Sequence, residues 1–213
     1  MRGDAPDRGA TKGERTRQAL LDAAIARFGR DGYRGTSVAE IARDARLSGT
    51  AAYPYFPNKE ALFVAAVDED AAAVIEEGLS TMTGDVDPTR WRRTLMFTLL
   101  SAVERHPLAR RVLSGLEPEF TVRLLGIPAL EQLRKQSCER IRAQQMAGEV
   151  RSDIDPQQIA NGLTTIVLSL LMSLLQTGTD PATLLGPDVA AVVEAALSPP
   201  GGLQEPVRRG KDA

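Results

Sequence analysis

The stretch from residue 48 to residue 59 concentrates side chains that can bind an anion. It holds a serine, a threonine and two tyrosines, whose hydroxyls donate hydrogen bonds, and it ends in an asparagine and a lysine. Hydroxyl, ammonium and backbone N–H groups contact nucleic-acid phosphates, and small residues let a backbone approach a groove closely. We therefore predict a nucleic-acid-binding surface. Its residues are Ser37 just upstream and Ser48, Gly49, Thr50, Ala51, Tyr53, Pro54, Tyr55 and Lys59.

Two short helices and the start of a third are predicted to position these groups. Ser37 begins the first helix, because Glu40 follows it at the spacing of a capping box. Leu47 supplies an apolar plug in the turn, and Ser48 can cap the second helix. Asn58 can cap the third helix, whose first-turn lysine then lies beside free backbone N–H groups. This arrangement is typical of helix-turn-helix proteins, which place the second helix in the DNA major groove.

An amphipathic helix precedes the motif and completes a small three-helix core. Apolar residues recur on one helical face from about residue 14 to residue 30, and Gly32 can end this helix. The apolar face consists of Leu21, Ala24, Ile25 and Phe28.

Together these residues resemble the N-terminal signature of the TetR-type transcriptional regulators. The resemblance covers about the first sixty residues, whereas the rest of the chain is similar to the family only in length and helical pattern. It implies a repressor that binds a pseudo-palindromic DNA operator as a homodimer and is released by a small-molecule effector. The positions that carry it are Phe28, Gly32, Tyr33, Thr36, Val38, Ile41, Ala42, Ser48, Tyr53, Tyr55, Phe56, Pro57, Lys59, Glu60, Ala61 and Leu62.

Three positions depart from the family pattern. Arg46 stands where a glycine is common in the turn, Ala51 where a threonine is common, and Pro54 where a histidine or arginine often contacts DNA. A positive φ at Arg46 would strain the backbone by about 1 kcal/mol. Pro54 lacks an N–H group and disfavours helical geometry at the preceding residue. The second helix therefore either ends or kinks at Pro54, or is held in two turns by packing.

The two tyrosines have competing interpretations. At least one hydroxyl is predicted to contact a phosphate, while one ring can pack beneath the second helix. Tyr55 is the stronger candidate for packing, because it lies three residues after Ala52 on the inner side.

Charge is distributed unevenly along the chain. Residues 1–60 carry 11 basic and 8 acidic residues, a net charge of +3, whereas the whole chain carries −2. Phosphate neutralisation depends on local charge, so the positive part coincides with the predicted DNA-binding surface. A basic N-terminal arm either reaches a minor groove or stays solvated. Its basic residues are Arg2, Arg8, Lys12, Arg15 and Arg17.

Periodicity and punctuation predict an all-α fold. Helices are expected near 58–79, 88–105, 107–115, 118–147 with a break at Pro128, 156–176 and 187–198. We predict a flexible arm (1–13), a helix-turn-helix DNA-binding domain (14–60), a helical effector-binding and dimerisation domain (61–198) and a flexible tail (199–213). No apolar run follows the N-terminal charges and the single cysteine cannot form an intrachain disulfide, so a cytoplasmic location is expected.

Two apolar helices near the C-terminus predict a homodimer interface. Residues 156–179 carry no charge, but their strongly apolar part (163–175) is too short to cross a membrane and indicates a helix buried on several faces. Either these helices pair two subunits, as the family resemblance implies, or they close the core of one subunit. The predicted interface residues are Gly162, Ile166, Ser169, Ser173, Val189, Val193 and Leu197.

Aromatic and soft side chains in the C-terminal part are candidates for an effector pocket, with ordinary core packing as the competing interpretation. The single histidine can equally be structural. The acidic run from Asp68 to Asp70 is interpreted as a solvated helix face. The candidate ligand residues are Trp91, Met96, Phe97, His106, Phe120 and Cys138.

An enzyme is not predicted, and no cofactor is expected. With one histidine and one cysteine the chain lacks a metal-ligand cluster, and it has no phosphate-binding, dinucleotide-binding or nucleophile-elbow glycine motif. The rival to a DNA-binding regulator is a helical dimer whose reader is degenerate, with Arg46 and Pro54 as damage, that acts through ligand or protein binding. Salt-dependent binding to duplex DNA would distinguish the two, because only phosphate neutralisation releases counterions.

Overall fold

The structure is a computed structural model that describes residues 11–80, 98–178 and 187–199, without the side chains of 123, 124 and 187–190. These residues form helices and turns and no strand, in agreement with the predicted all-α fold. Residues 98–103 are helical, and Pro118–Phe120 forms a 3₁₀ turn. The remaining helices are α1 (Lys12–Asp31), α2 (Val38–Asp44), α3 (Lys59–Ser80), α4 (Pro107–Leu113), α5 (Thr121–Leu124), α6 (Pro128–Met146), α7 (Pro156–Thr177) and α8 (Pro187–Leu197).

Helix α1 begins earlier than predicted because Thr11 and Glu14 form a capping box. The Thr11 hydroxyl accepts the Glu14 N–H at 3.2 Å, and the Glu14 carboxylate accepts the Thr11 N–H at 2.6 Å. These bonds to the backbone and hydroxyl of Thr11 lower the pKa of Glu14. The helix therefore includes residues 12 and 13 of the predicted flexible arm. Of the basic residues assigned to the N-terminal arm, Lys12, Arg15 and Arg17 lie on α1, while Arg2 and Arg8 lie outside the described residues.

One apolar core serves the first compact unit, which comprises residues 11–80 and 98–131 among those described. Phe28 of α1 is fully buried and meets Phe63 of α3 edge to face, with 5.0 Å between ring centroids. Phe120 lies 4.5 Å from Phe63 and 4.6 Å from Tyr33, also measured between centroids. The packing thus continues across residue 60, the predicted end of the DNA-binding domain.

Two aspartates of α3 accept hydrogen bonds from the first turns of two later helices. Asp70 is buried, and its Oδ2 accepts the N–H of Ala109 in the first turn of α4 at 2.8 Å. Asp68 accepts the N–H of Ala129 in the first turn of α6, also at 2.8 Å. A carboxylate at a helix N-terminus satisfies free donors and suits the helix dipole. The predicted solvated acidic face was therefore wrong at these two positions, although Glu69 is exposed.

The second compact unit comprises residues 132–178 and 187–199 among those described. Asp155 caps α7 by accepting the Gln157 N–H at 2.8 Å, and Gly178 ends the helix in a left-handed conformation. A separate small core forms in this unit. Its buried members are Cys138, Ile141, Val150, Ala160 and Leu197.

Candidate nucleic-acid interface

Helix α2 is held at both ends by local hydrogen bonds. The Ser37 hydroxyl accepts the Glu40 N–H at 3.3 Å, and the Glu40 carboxylate accepts the Ser37 backbone N–H at 2.9 Å, which confirms the predicted capping box. The bonds from the Ser37 hydroxyl and backbone lower the pKa of Glu40. This carboxylate favours the fold when ionised, so its contribution is present above the ordinary glutamate pKa and is lost as pH falls through the lowered value.

A Schellman motif ends α2 and forms the turn. Arg46 N–H donates to the carbonyl of Arg43 at 2.9 Å, and Leu47 N–H reaches back to Ala42 at 2.8 Å. Arg46 occupies the left-handed position of this motif, with φ 60°, where glycine is usual. A non-glycine residue there costs about 1 kcal/mol. Leu47 packs against the core, as the sequence predicted.

The second helix of the predicted motif is instead a run of tight turns from residue 49 to residue 55. Three backbone hydrogen bonds in this segment span three residues. A fourth, from the Phe56 N–H to the Ala52 carbonyl at 2.9 Å, spans four. The prediction that Ser48 caps an α-helix was therefore wrong; Ser48 acts through its backbone carbonyl. The three-residue bonds run from the N–H groups of Ala51, Tyr53 and Tyr55 to the carbonyls of Ser48, Thr50 and Ala52, at 2.9, 3.3 and 3.0 Å.

We call residues 48–56 the reader segment. Its inner side is formed by Ala52, which is fully buried, and by Tyr55, which is half-buried against the core. Its outer side carries the exposed Thr50 and Tyr53, the latter 52% exposed. The two tyrosines therefore differ as predicted in packing, and Tyr53 has the more accessible hydroxyl. Whether either contacts a phosphate stays a prediction.

Helix α3 begins beside the reader segment with a side-chain cap. Asn58 accepts the N–H of Ala61 at 2.8 Å, which confirms its predicted role. The Lys59 ammonium lies 4.3 Å from the centroid of the Tyr33 ring. This cation–π contact directs the lysine without neutralising it. Lys59 is half-buried, and its role as a phosphate ligand stays a prediction.

Two arginines of α1 contact the DNA-binding motif. Arg27 donates to both carboxylate oxygens of Asp44, at 2.6 and 3.2 Å, and thereby ties α1 to the end of α2. The hydrogen bonds that Arg27 donates to Asp44 raise the pKa of Arg27 and lower the pKa of Asp44. Arg17 lies 5.4 Å from the centroid of the Phe56 ring, at the end of the reader segment. Arg17, predicted as part of a basic arm, is therefore a residue of α1 in contact with the reader segment.

The structure describes three of the six predicted ligand residues. Trp91, Met96 and Phe97 lie outside the described residues. The Phe120 ring fills the core of the first unit, which supports the core-packing interpretation of this residue. Cys138 is likewise buried in the core of the second unit. An open groove of about 430 Å³ lies elsewhere, lined in part by Ala23, Arg27 and Arg46.

His106 is held between two carboxylates of α3. Its Nδ1 lies 2.8 Å from Asp70 and its Nε2 lies 3.3 Å from Glu77. Because both ring nitrogens have protein partners, the geometry supports the structural interpretation of this histidine over a ligand contact. His106 also stands at the N-terminus of α4, where it is followed by Pro107.

The predicted interface residues fall into two groups. On α7, Gly162, Ile166 and Ser169 are exposed, and Ser173 is half-buried. On α8, Leu197 is buried in the core of its own unit and the half-buried Val193 packs against that core, which supports the competing interpretation that these side chains close the core of one subunit. They face inward because they lie four residues apart on one side of the helix. The Val189 side chain lies outside the described part of the chain.

Helix α7 has the length and composition of a membrane-crossing helix. It has 22 residues, and its most apolar window of 18 residues has a mean hydropathy of 1.6. A single such helix is weak evidence for a membrane span, because core helices of soluble proteins can have the same properties. Only 22% of that window is buried in the single chain, and the apolar side chain of Ile166 is exposed on it.

Metal-binding clusters are absent from the part of the chain that the structure describes. A search of residues 11–80, 98–178 and 187–199 finds no group of three histidine, cysteine, aspartate or glutamate side chains placed to hold a metal ion.

Comparisons with known proteins find similar sequences, and the family match lies in the first unit. The family of bacterial regulatory proteins described as the tetR family matches residues 20–66. The uncharacterized HTH-type transcriptional regulator YdgC of Bacillus subtilis is 28% identical over 203 residues, 88% of this chain and 95% of that protein. The HTH-type transcriptional repressor AcnR of Corynebacterium jeikeium is 28% identical over 193 residues, 85% of this chain and 92% of that protein.

Solved structures show the same fold. A TetR-family transcriptional regulator of Pectobacterium atrosepticum superposes with a TM-score of 0.65 at 22% identity, over 87% of this chain and 95% of that one. The fatty acid degradation regulator FadR of Bacillus halodurans superposes with a TM-score of 0.61 at 16% identity, over 88% of this chain and 94% of that one.

Proposed function

The chain belongs to the TetR family of bacterial regulatory proteins, and we propose that it represses transcription by binding a pseudo-palindromic operator as a homodimer. It is a DNA-binding transcription regulator and not an enzyme. The observation that carries the proposal is the exposed outer side of the reader segment, Thr50 and Tyr53, beside the capped start of α3 with Lys59. Hydroxyls, a lysine and backbone N–H groups are the donors with which proteins contact DNA. A cytoplasmic location gives such a protein access to its operator.

The exposed stripe of α7 supports a homodimer. Ile166 is 43% exposed in the single chain, and the small residues on its line would let a second helix approach closely. A two-fold dimer presents two readers at a fixed spacing, so two half-sites together provide the specificity. Val192 on the outer face of α8, 70% exposed, is a better interface candidate than Leu197 on its inner face.

A small-molecule effector is proposed to release the protein from DNA. The effector must bind the conformation that does not fit the operator more tightly, and a hundredfold loss of DNA affinity requires about 2.7 kcal/mol of such preference. Helix α3 connects the predicted DNA-binding surface to the first turns of two other helices within the first unit. Its start carries Lys59, and its Asp68 and Asp70 hold the first turns of α6 and α4. A displacement of either helix would therefore act on the helix that begins at the reader.

Selection of the purified protein on a random duplex pool at moderate salt tests the proposal. We expect an enriched inverted repeat, because two symmetric readers select two half-sites. Absence of any enriched sequence at low and moderate salt would favour the rival interpretation, in which the tight turns of residues 48–56 are a degenerate reader.

Changing Lys59 to alanine should weaken binding to all duplexes to a similar degree. A charged hydrogen bond to phosphate is worth about tenfold in affinity. The slope of log affinity against log salt should fall by about 1 for each lysine removed, and therefore by about 2 in a dimer. Fluorescence anisotropy on the selected duplex and on a scrambled one, at several salt concentrations, measures both effects. Lys135→Ala, an equal charge change at an exposed position of α6, is the control and should leave both unchanged. A Lys59→Ala protein that binds as tightly as wild type would contradict the phosphate assignment.

Changing Ile166 to glutamate should separate the subunits. The substitution places like charges opposite one another at a two-fold interface, so we expect the dimer dissociation constant to rise about a hundredfold. Sedimentation velocity measures this, and affinity for the inverted repeat should fall in parallel. Val122→Glu is the control, because Val122 of α5 is 84% exposed and has no predicted interface role. A dimer that survives Ile166→Glu with unchanged affinity would show that the α7 stripe is not the interface.

A further inference from the structure

The reader segment is wound more tightly than the second helix of the usual motif. Hydrogen bonds over three residues close single turns, each of which has the tighter winding of a 3₁₀-helix, 3.0 residues per turn instead of 3.6. Three such bonds, donated by the alternate residues Ala51, Tyr53 and Tyr55, hold the reader from Ser48 to Tyr55, and only at Phe56 does the chain widen to a four-residue bond. The segment is therefore a series of tight turns and not a continuous helix.

Pro54 accounts for this winding. In an α-helix the N–H of residue 54 would donate to the carbonyl of Thr50, but proline has no N–H and its ring would meet that carbonyl. Proline also disfavours α-helical backbone at Tyr53. The Thr50 carbonyl instead accepts the N–H of Tyr53, one residue earlier, at 3.3 Å. Because residue 54 has no N–H to donate to the Thr50 carbonyl, the tighter turn closed by Tyr53 forms instead of an α-helical turn.

The winding decides which side chains face outward together. Successive residues are about 120° apart in a 3₁₀-helix and about 100° apart in an α-helix. Tyr53 closes a three-residue turn on Thr50, and both side chains are exposed, so they lie near one line. α-Helical winding would turn Tyr53 about 60° away from Thr50 and to within about 40° of Gly49. Gly49 is on the inner side, where an added Cβ would lie 3.5 Å from the Cβ of Ala39. The observed winding thus keeps Tyr53 exposed.

We propose that Pro54 determines the operator sequence as a positioning residue, by holding Tyr53 in one outer row with Thr50. This row enters the major groove, and its spacing selects the base pairs of each half-site. The inference rests on the proposed function, since it assigns specificity within the same DNA interface.

Selection on random duplexes compares wild type with Pro54→Ala and with the control Pro57→Ala, all as full-length proteins. Pro57 is exposed and follows the reader segment, so its loss leaves the winding intact. We expect wild type and Pro57→Ala to enrich one half-site and Pro54→Ala to enrich a different one. The Pro54→Ala protein should bind the wild-type half-site about tenfold more weakly, the effect of one mismatched base pair. Amide exchange without DNA should show a newly protected N–H at position 54.

Tyr53→Ala keeps the proline and tests the outer row if Pro54→Ala fails to fold. We expect the half-site preference to relax at particular base pairs, whereas loss of a mere phosphate contact would weaken all duplexes equally. Uniform weakening by Tyr53→Ala, or an unchanged half-site in a folded Pro54→Ala protein, would overturn the inference. A wild-type protein that enriches no sequence would instead contradict the proposed function, and with it the inference built upon it.

Discussion

The Glu117→Ala protein should lose about 3 kcal/mol of unfolding free energy, because the substitution breaks a buried ion pair by removing one partner. Glu117 is 4% exposed, and its Oε1 accepts both the Arg111 Nε–H at 2.7 Å and the backbone N–H of Tyr33 at 3.0 Å. Removing the carboxylate leaves the Arg111 guanidinium and the Tyr33 N–H without these bonds inside the first unit. Urea unfolding followed by circular dichroism measures the loss.

A neighbouring ion pair provides the control for this prediction. Glu119 pairs with Arg34 at 3.2 Å, but the Arg34 side chain is 85% exposed, so Glu119→Ala should cost about 1 kcal/mol or less. The double variant Arg111→Ala with Glu117→Ala should be less destabilised than the two single losses predict, because it leaves no unpaired charge. Equal effects of Glu117→Ala and Glu119→Ala would show that burial does not strengthen the pair.

Local signals in the sequence predicted the helix ends of the DNA-binding motif. The Ser37–Glu40 box, the Asn58 cap and the Gly32 stop each involve residues within four positions of one another, so their spacing alone reveals them. The Thr11–Glu14 box has the same spacing and was available as a signal. It was overlooked because the charged residues around it were interpreted as a flexible arm.

Contacts between distant residues could not be predicted in this way. Glu117 meets the backbone of Tyr33 across 84 positions, and Asp70 meets that of Ala109 across 39. Nothing in an acidic run distinguishes a buried cap from a solvated face. The apolar stripe of α8 likewise identified a buried face, but not whether it was covered by the same chain. Leu197 lies in its own core because Cys138 and Ile141 cover it.

The winding of the reader segment was only half predictable. The sequence showed that Pro54 would disturb a helix, because the missing N–H and the steric effect on Tyr53 are properties of proline alone. It did not show whether the core would restore α-helical turns. Ala52 and Phe56 are buried with the three-residue bonds in place, so packing is satisfied without an α-helix.

Changing Gly32 to alanine should destabilise the first unit by about 2 kcal/mol or more, the cost of a backbone conformation that is essentially restricted to glycine, with steric overlap in addition. Gly32 ends α1 with φ 75° and ψ 173°, and its N–H donates to Phe28 at 2.9 Å. An added Cβ would lie 2.7 Å from the Glu117 Oε1 and would also overlap the Arg111 guanidinium. The substitution therefore strains the backbone and displaces the buried ion pair together.

Gly148→Ala is the control for steric overlap. Gly148 has the same φ of 75°, but an added Cβ would meet no atom within 4 Å, so its substitution reports the cost of a positive φ without overlap, about 1 kcal/mol. Urea unfolding should therefore show a larger loss for Gly32→Ala than for Gly148→Ala. Combining Gly32→Ala with Glu117→Ala should cost less than the sum of the two, because the overlapping carboxylate is then absent. If the two losses add fully, the ion pair is not what the new methyl group displaces, and the strain lies in the backbone of the α1 terminus itself.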